Sequence, residues 1–250
     1  MTLDVFERLA KHLDNLPGGF PRTESGAEIR ILQRLFTRDD AELALRLTII
    51  PEGPRVIARR AGIPVDDAVR RLDGMEQKGL ILSIRRRGKP PQYSAQQFVV
   101  GFWESQVNRL SPELVKDFEE YLPHVVNPGV WQRAPQLRTV PVGQSLSAQS
   151  KVMPYERAEE LVRAHTKFAV SNCICRQELR LLGKGCNKPE ESCMSFGMAS
   201  EYVVRTGRGR AITQEEALAV LRRAEEVGLV LQPGNAKDAL FICTCCGCCC

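Results

Sequence analysis

The chain closes on "FICTCCGCCC", Phe241 to Cys250, and six of its last eight residues are cysteines. A second group lies upstream in "CICRQELRLLGKGCNKPEESC", which holds Cys173, Cys175, Cys186 and Cys193. Residues 1–172 contain no cysteine at all. Thiolates serve as nucleophiles, disulfide partners or soft-metal ligands. The N-terminus "MTLDVFERLAKHLDNLPGGF" mixes charges and has no apolar core of a signal peptide. No apolar run approaches the ~20 residues that span a bilayer. A cytoplasmic location without membrane contact is therefore expected, and disulfides are rare there. Neighbouring cysteines also pair only with strain. Metal binding is the reading that remains, with all ten cysteines as candidate metal and cofactor ligands: Cys173, Cys175, Cys186, Cys193, Cys243, Cys245, Cys246, Cys248, Cys249 and Cys250.

The spacings are C-x-C-x10-C-x6-C and C-x-C-C-x-C-C-C. Zinc takes four thiolates, usually from C-x2-4-C pairs, and no clean double pair occurs here. Iron–sulfur clusters also want thiolates, and their larger inorganic core can be wrapped by irregular loops. Gly247 would let the backbone approach inorganic sulfide. Ten thiols exceed the needs of one four-iron cube and suit two. Iron–sulfur is thus favoured, as one or two 4Fe–4S clusters, with zinc as the alternative.

Elements must bring these thiols together. "KFAVSNCIC" reads as a strand on which Cys173 and Cys175 point to one side. "LRTVPVGQSL" reads as an earlier strand and "PYERAEELVRAHT" as the helix between them, a small α/β unit. His165, near that helix's end, suits the helix dipole better than a metal. "GKGC" gives a turn before Cys186, and a helix is expected over "SFGMASEYVVR". "TGRGR" is a basic turn, not a nucleotide fingerprint. Thr213 and Glu216 form a capping box for "QEEALAVLRRAEEVG". "ALFIC" is the strand that carries the tail cysteines. Upstream, Ser111 caps a helix with Pro112 in its first turn. "YLPHVVNPGVWQRAP" then reads as a broken connector in which His124 is structural.

Residues 21–100 hold 15 Lys/Arg against 10 Asp/Glu, so the formal excess of +5 sits there. Two helices over residues 26–50 precede a short helix in "RVIARRAG". A helix follows over "PVDDAVRRLDGMEQKG", then two strand-like stretches around "RRRGK". Helix, turn, helix and basic hairpin resemble the winged helix of transcription regulators. Arg85, Arg86, Arg87 and Lys89 would then meet phosphate, with Arg70 and Arg71 on the second helix. Asp66 and Asp67 stand at the end of that helix that would face the bases, and they oppose this reading. A winged helix is equally a docking module, so weak nucleic-acid binding, docking of a partner protein and pairing of two copies are all carried forward.

"CICR…LLGKGCNKPEESCMSFG…FICTCCGCCC" resembles a family of anaerobe-associated iron–sulfur proteins with C-x-C-R, G-C and C-C-G-C-C-C motifs after a winged-helix-like segment. The resemblance spans about residues 26–250. It implies 4Fe–4S binding and electron transfer to or from a redox partner protein. Those proteins continue into a ferredoxin-type domain with C-x2-C-x2-C-x3-C-P repeats, which this sequence lacks, so a piece of a longer protein or a natural short form is expected. "CCG" is also similar to heterodisulfide-reductase motifs, but the other cysteines do not match their spacing.

The expected fold is α+β: an N-terminal winged helix-turn-helix followed by a small α/β, cysteine-rich metal-binding domain. Its parts are an extension over 1–25, the winged helix over 26–100, a helical connector over 101–135 and the iron–sulfur domain over 136–250. The expected role is an electron-transfer or redox subunit. The alternatives are a redox- or metal-sensing transcription regulator and a zinc-stabilised interaction module. The sequence offers no catalytic triad, paired carboxylate site, G-x-G-x-x-G or Walker loop, so a non-catalytic role is expected.

Overall fold

A computed structural model describes residues 3–126, 129, 135–140 and 158–250 of the mixed α/β chain. It divides into two compact units, 1–134 and 135–250. No helix among the described residues is long and apolar enough to cross a membrane.

The first unit opens with α1 (Val5–Asp14), inside the segment expected as an extension. Asp4 and Glu7 form a capping box there, and Val5, Phe6, Leu9 and Leu13 bury one face. Then follow α2 (Ala27–Leu35), α3 (Arg38–Ala44, capped by Thr37), α4 (Pro54–Ala61) and α5 (Val65–Lys78). Strands β1 (Ile81–Ile84) and β2 (Gln92–Ala95) pair antiparallel, and Glu52 adds a bridge to Tyr93. The basic stretch 85–89 is the turn of this hairpin.

Helix α6 (Pro112–Val125) starts at Ser111 and Pro112 as its sequence requires, but it runs on through Pro123 and His124. A broken connector was the expectation there. Tyr121 and Val125 are buried one turn apart on the helix face that packs inward. That burial outweighs the backbone hydrogen bond that Pro123 cannot make. Trp103 stacks on Phe118 at 3.8 Å, and Asp117 accepts from Arg30 and Arg34 of α2, which ties α6 to α2.

The second unit is a five-stranded antiparallel sheet in the order β5-β3-β4-β7-β6. Its elements are α7 (Ala158–Arg163), β3 (Phe168–Asn172), α8 (Ile174–Leu181), β4 (Glu191–Phe196) and α9 (Gly197–Arg205). They continue with β5 (Gly209–Ile212), α10 (Gln214–Glu226), β6 (Val230–Pro233) and β7 (Phe241–Cys245). Leu137 and Val140 bridge to Gly234 and Leu231. The rest of that expected strand, and residues 154–157 of the expected helix, lie outside the described residues. The Thr213–Glu216 capping box of α10 forms. Phe168 and Val170, Met194 and Phe196, Leu231 and Ile242 share one face of the sheet and form a core with α7 and α10.

Two expectations are corrected. Cys173 and Cys175 do not lie on a strand: β3 ends at Asn172, Cys173 caps α8, and Cys175 sits in its first turn. The Cys173 N–H donates to Glu190 O at 2.8 Å, away from the sheet ladder. Residues 191–196 form a strand that takes in the first two residues of the helix expected over 195–205, and 209–212 form another that overlaps the turn expected over 206–210. Gly209 permits the second of these, because a Cβ there would stand 2.3 Å from Val170 O.

In the first unit Glu76 is fully buried and accepts from Ser83 Oγ at 2.6 Å and from Arg85 at 2.7 Å. Glu76→Ala removes the buried acceptor of the Ser83 hydroxyl and one of the two carboxylates on Arg85, which keeps Asp73. It should destabilise the unit by about 2–3 kcal/mol. Urea denaturation followed by hydrogen exchange of residues 54–95 measures this, and an unchanged midpoint would refute the role of Glu76.

Candidate metal centre

Strand alternation decides which thiols meet. Met194 and Ile242 pair across β4 and β7 and both face the α7/α10 core. One residue further along that register, Cys193 stands opposite Cys243 on the other face, and Cys245 follows two residues on. Cys173 and Cys175 arrive from the β3–α8 junction. The tail then turns back: the N–H of Cys250 donates to Cys246 O at 3.1 Å.

Six thiols close into a ring of hydrogen-bonding neighbours. Cys173 contacts Cys175 and Cys193, Cys193 contacts Cys243, and Cys243 contacts Cys245. Cys245 contacts Cys250, which returns to Cys175. The other four form a separate corner. Cys186, Cys246, Cys248 and Cys249 hold their sulfurs within 4.8 Å of one another and could bind a metal ion. The separations are 3.6 Å for Cys186–Cys249, 3.9 Å for Cys248–Cys249 and 4.0 Å for Cys186–Cys246. This corner packs against the sheet's hydrophobic core through Cys186, Cys246 and Cys249.

Local chain chemistry places Cys186. Gly183 ends α8 in the left-handed region at φ 70°. Gly185 passes so close to the helix that a Cβ would stand 3.1 Å from Arg180 Cα. Lys188 then anchors the loop by donating to Val227 O at 2.7 Å and Gly228 O at 3.1 Å.

The thiols share protons unevenly. Cys175 and then Cys193 donate toward Cys173 and hold it down at about 2, helped by the charge of Arg176. Cys175 and Cys245 likewise hold Cys250 at about 3. Cys175 is pushed well above the ordinary thiol range by its bonds to Cys173 and Cys250 and by burial. Cys193 rises chiefly through Cys173, and Cys243 chiefly through Cys193 and Cys245. In the corner, the Lys188 N–H draws Cys186 down to about 7, whereas burial and then Cys186 raise Cys249 to about 12.

Arg176 stands between the two groups. It is 1% exposed and donates to Pro189 O and Ser192 Oγ, each at 2.8 Å, and to Thr244 O at 2.6 Å. Its Nε makes no hydrogen bond. The guanidinium lies beside Cys173 and Cys193 of the ring and Cys246 of the corner. Its one sequence signal is its place directly after the second cysteine of "CICR".

The structure places the remaining candidates elsewhere. Arg70 and Arg71 both pair with Asp67, and Arg85 pairs with Asp73 at 2.5 Å and Glu76 at 2.7 Å. Arg86, Arg87 and Lys89 are exposed. His165 meets Ala239 O at 3.0 Å and stacks on Phe196, consistent with a structural part.

The donor set fits a metal centre. Soft thiolates are the natural ligands of zinc, iron and their sulfide clusters. Compared with family models, curated proteins and solved structures, the chain matches none.

Arg176→Met should cost the second unit about 3 kcal/mol, because it takes a charged donor from the Pro189 and Thr244 carbonyls and from Ser192 Oγ, which keeps its bond from Thr244 Oγ1. Hydrogen exchange of residues 168–250 in reduced, metal-free protein measures it. A variant with wild-type protection would show that the guanidinium is dispensable to the fold.

Proposed function

We propose that this protein is an iron–sulfur electron carrier. Its second unit holds the metal. Its first unit is a winged helix that docks a redox partner protein. One observation carries the reading: the chain gathers six contiguous thiols beyond the four that a single structural ion would use. A zinc-stabilised interaction module would need only the corner and would leave the ring without a ligand. Sulfide clusters use such thiolates and exchange electrons through them.

The corner itself is the size of one tetrahedral ion. With metal–sulfur bonds of about 2.3 Å, tetrahedral sulfurs stand about 3.8 Å apart. Three of the six separations in the corner, 3.6–4.0 Å, bracket that value, and all six lie within 4.8 Å. A four-iron cube holds its protein sulfurs further apart, so the corner favours a single zinc or iron over a cube. The cysteines and Arg176 would position and shield the metal, and the metal would supply the electron exchange.

The anaerobically purified protein should be brown and contain iron and acid-labile sulfide. Metal analysis and the visible spectrum test this. A colourless preparation with about one zinc per chain would sink the reading and leave the interaction module.

Nucleic-acid contact through the hairpin is a subordinate expectation, because Arg70, Arg71 and Arg85 are already held by carboxylates. Replacing Arg86, Arg87 and Lys89 together with alanine should lower the salt slope of DNA binding by about 2.7. Replacing Arg85 should act mainly on stability. Fluorescence anisotropy across a salt series reads the slope. Tight binding to one sequence that survives the triple change but not Arg70→Ala would put the regulator first.

A further inference from the structure

The corner of Cys186, Cys246, Cys248 and Cys249 joins two stretches of chain whose nearest members are 60 residues apart in sequence. One is the loop between α8 and β4, and the other is the tail after β7. The loop is held from outside the corner. Gly185 lies against Arg180, and Lys188 donates to Val227 O and Gly228 O, so Cys186 is presented from a fixed backbone. The tail is held differently. Beyond Cys245 it makes one turn, in which the N–H groups of Cys249 and Cys250 donate back to Cys246 O at 3.4 and 3.1 Å. That turn brings three sulfurs to Cys186. Cys246 belongs to the hydrophobic core, Cys249 packs against it, and Cys248 is exposed.

Size selects what the corner can take. All four sulfurs lie within 4.8 Å of one another, with separations of 3.6, 3.9 and 4.0 Å among them. A tetrahedral ion with metal–sulfur bonds of about 2.3 Å needs about 3.8 Å. A sulfide cube holds its cysteine sulfurs further apart than this corner does. Four protein thiolates fill the coordination of one ion and leave no open position, which is the form of a structural site. Zinc stands above ferrous iron in affinity for such a set. Four thiolates on one divalent ion leave two negative charges, and donors already face them. The Lys188 N–H bonds to Cys186. The guanidinium of Arg176, 1% exposed and with its Nε unpartnered, lies beside Cys246.

From the size, closure and position of the corner we infer that it is a zinc clasp: one ion held by Cys186, Cys246, Cys248 and Cys249 fastens the tail to the α8–β4 loop. The inference rests on the reading of the second unit as the one that holds metal. It deepens that reading by giving the corner a structural ion that exchanges no electrons. Its consequence is cooperative, because one ion orders loop and tail together.

Cys248 is the ligand to change, because its exposed side chain takes no part in the core. Full-length wild type and Cys248→Ser are purified under anaerobic conditions, and zinc, iron and sulfide per chain are measured. Hydrogen exchange of residues 183–188 and 246–250 is followed in both, and in wild type after chelation. The variant should carry about one zinc fewer per chain. Both stretches should exchange faster in the variant and in chelated wild type. Equal zinc in the two proteins, or loss of iron from the variant in place of zinc, overturns the clasp and leaves the iron–sulfur reading standing. So does chelation that frees only one of the two stretches. Should the variant not fold, wild type alone decides. Reduced, metal-free protein is given about one equivalent of zinc and then iodoacetamide. Mass spectrometry should find the four corner cysteines protected, and alkylation of any of them overturns the clasp. Wild type with about one zinc in the corner and neither iron nor sulfide would support the clasp while the iron–sulfur reading failed.

Discussion

Ten thiols in two contact groups at the end of one sheet are the constraint to which the second unit answers. Thiols pack as small hydrophobes only while protonated. Once ionised beside one another they repel, and burial strengthens the repulsion. The ring shows this conflict in its proton sharing: Cys173 and Cys250 are held down while Cys175 and Cys193 are forced up around them. A metal would resolve it by replacing the shared protons, and its affinity would then be linked to the folding of this unit.

The fold separates the two groups by the simplest means available to a strand. In β7 the side chains alternate, so Ile242 and Thr244 turn to one face and Cys243 and Cys245 to the other. The chain leaves the strand after Cys245, and Cys246 joins the hydrophobic core. Adjacent cysteines thus enter different contact groups, which a reading of "TCCGCCC" as one motif would merge. Arg176 crosses the divide. It fastens Thr244 O and Ser192 Oγ to α8 while standing beside thiols of both groups.

Much of this was legible in the sequence. Caps and periodicity set α3, α5, α6 and α10, because Thr37, Ser111 and the Thr213–Glu216 pair act within one turn of chain. The cysteines pointed to metal binding by their number, and four of them stand close enough together to hold an ion. What was not legible depended on partners far along the chain. β4 and β5 are short and mixed, and their strand character comes from pairing with β3, not from local propensity. Cys173 and Cys175 read as strand residues because "KFAVSNCIC" is continuous, yet the strand ends where Cys173 turns to Glu190. The division into six and four needs the register of β4 against β7, which spacing alone does not carry.

The two units treat buried charge differently, and the contrast bears on function. In the first unit, Glu76 is fully buried but answered from within the chain, by Ser83 and Arg85. In the second unit, Arg176 spends three hydrogen bonds on oxygens, and its remaining field must serve two groups of thiols at once. Of the ring thiols only Cys173 and Cys250 are drawn toward the thiolate, and the others keep their protons. A buried charge without an internal partner either neutralises or finds one from outside. For the carboxylate in the first unit the protein supplies that partner, whereas in the second most thiols hold their protons and four of them stand close enough together to hold a metal ion instead.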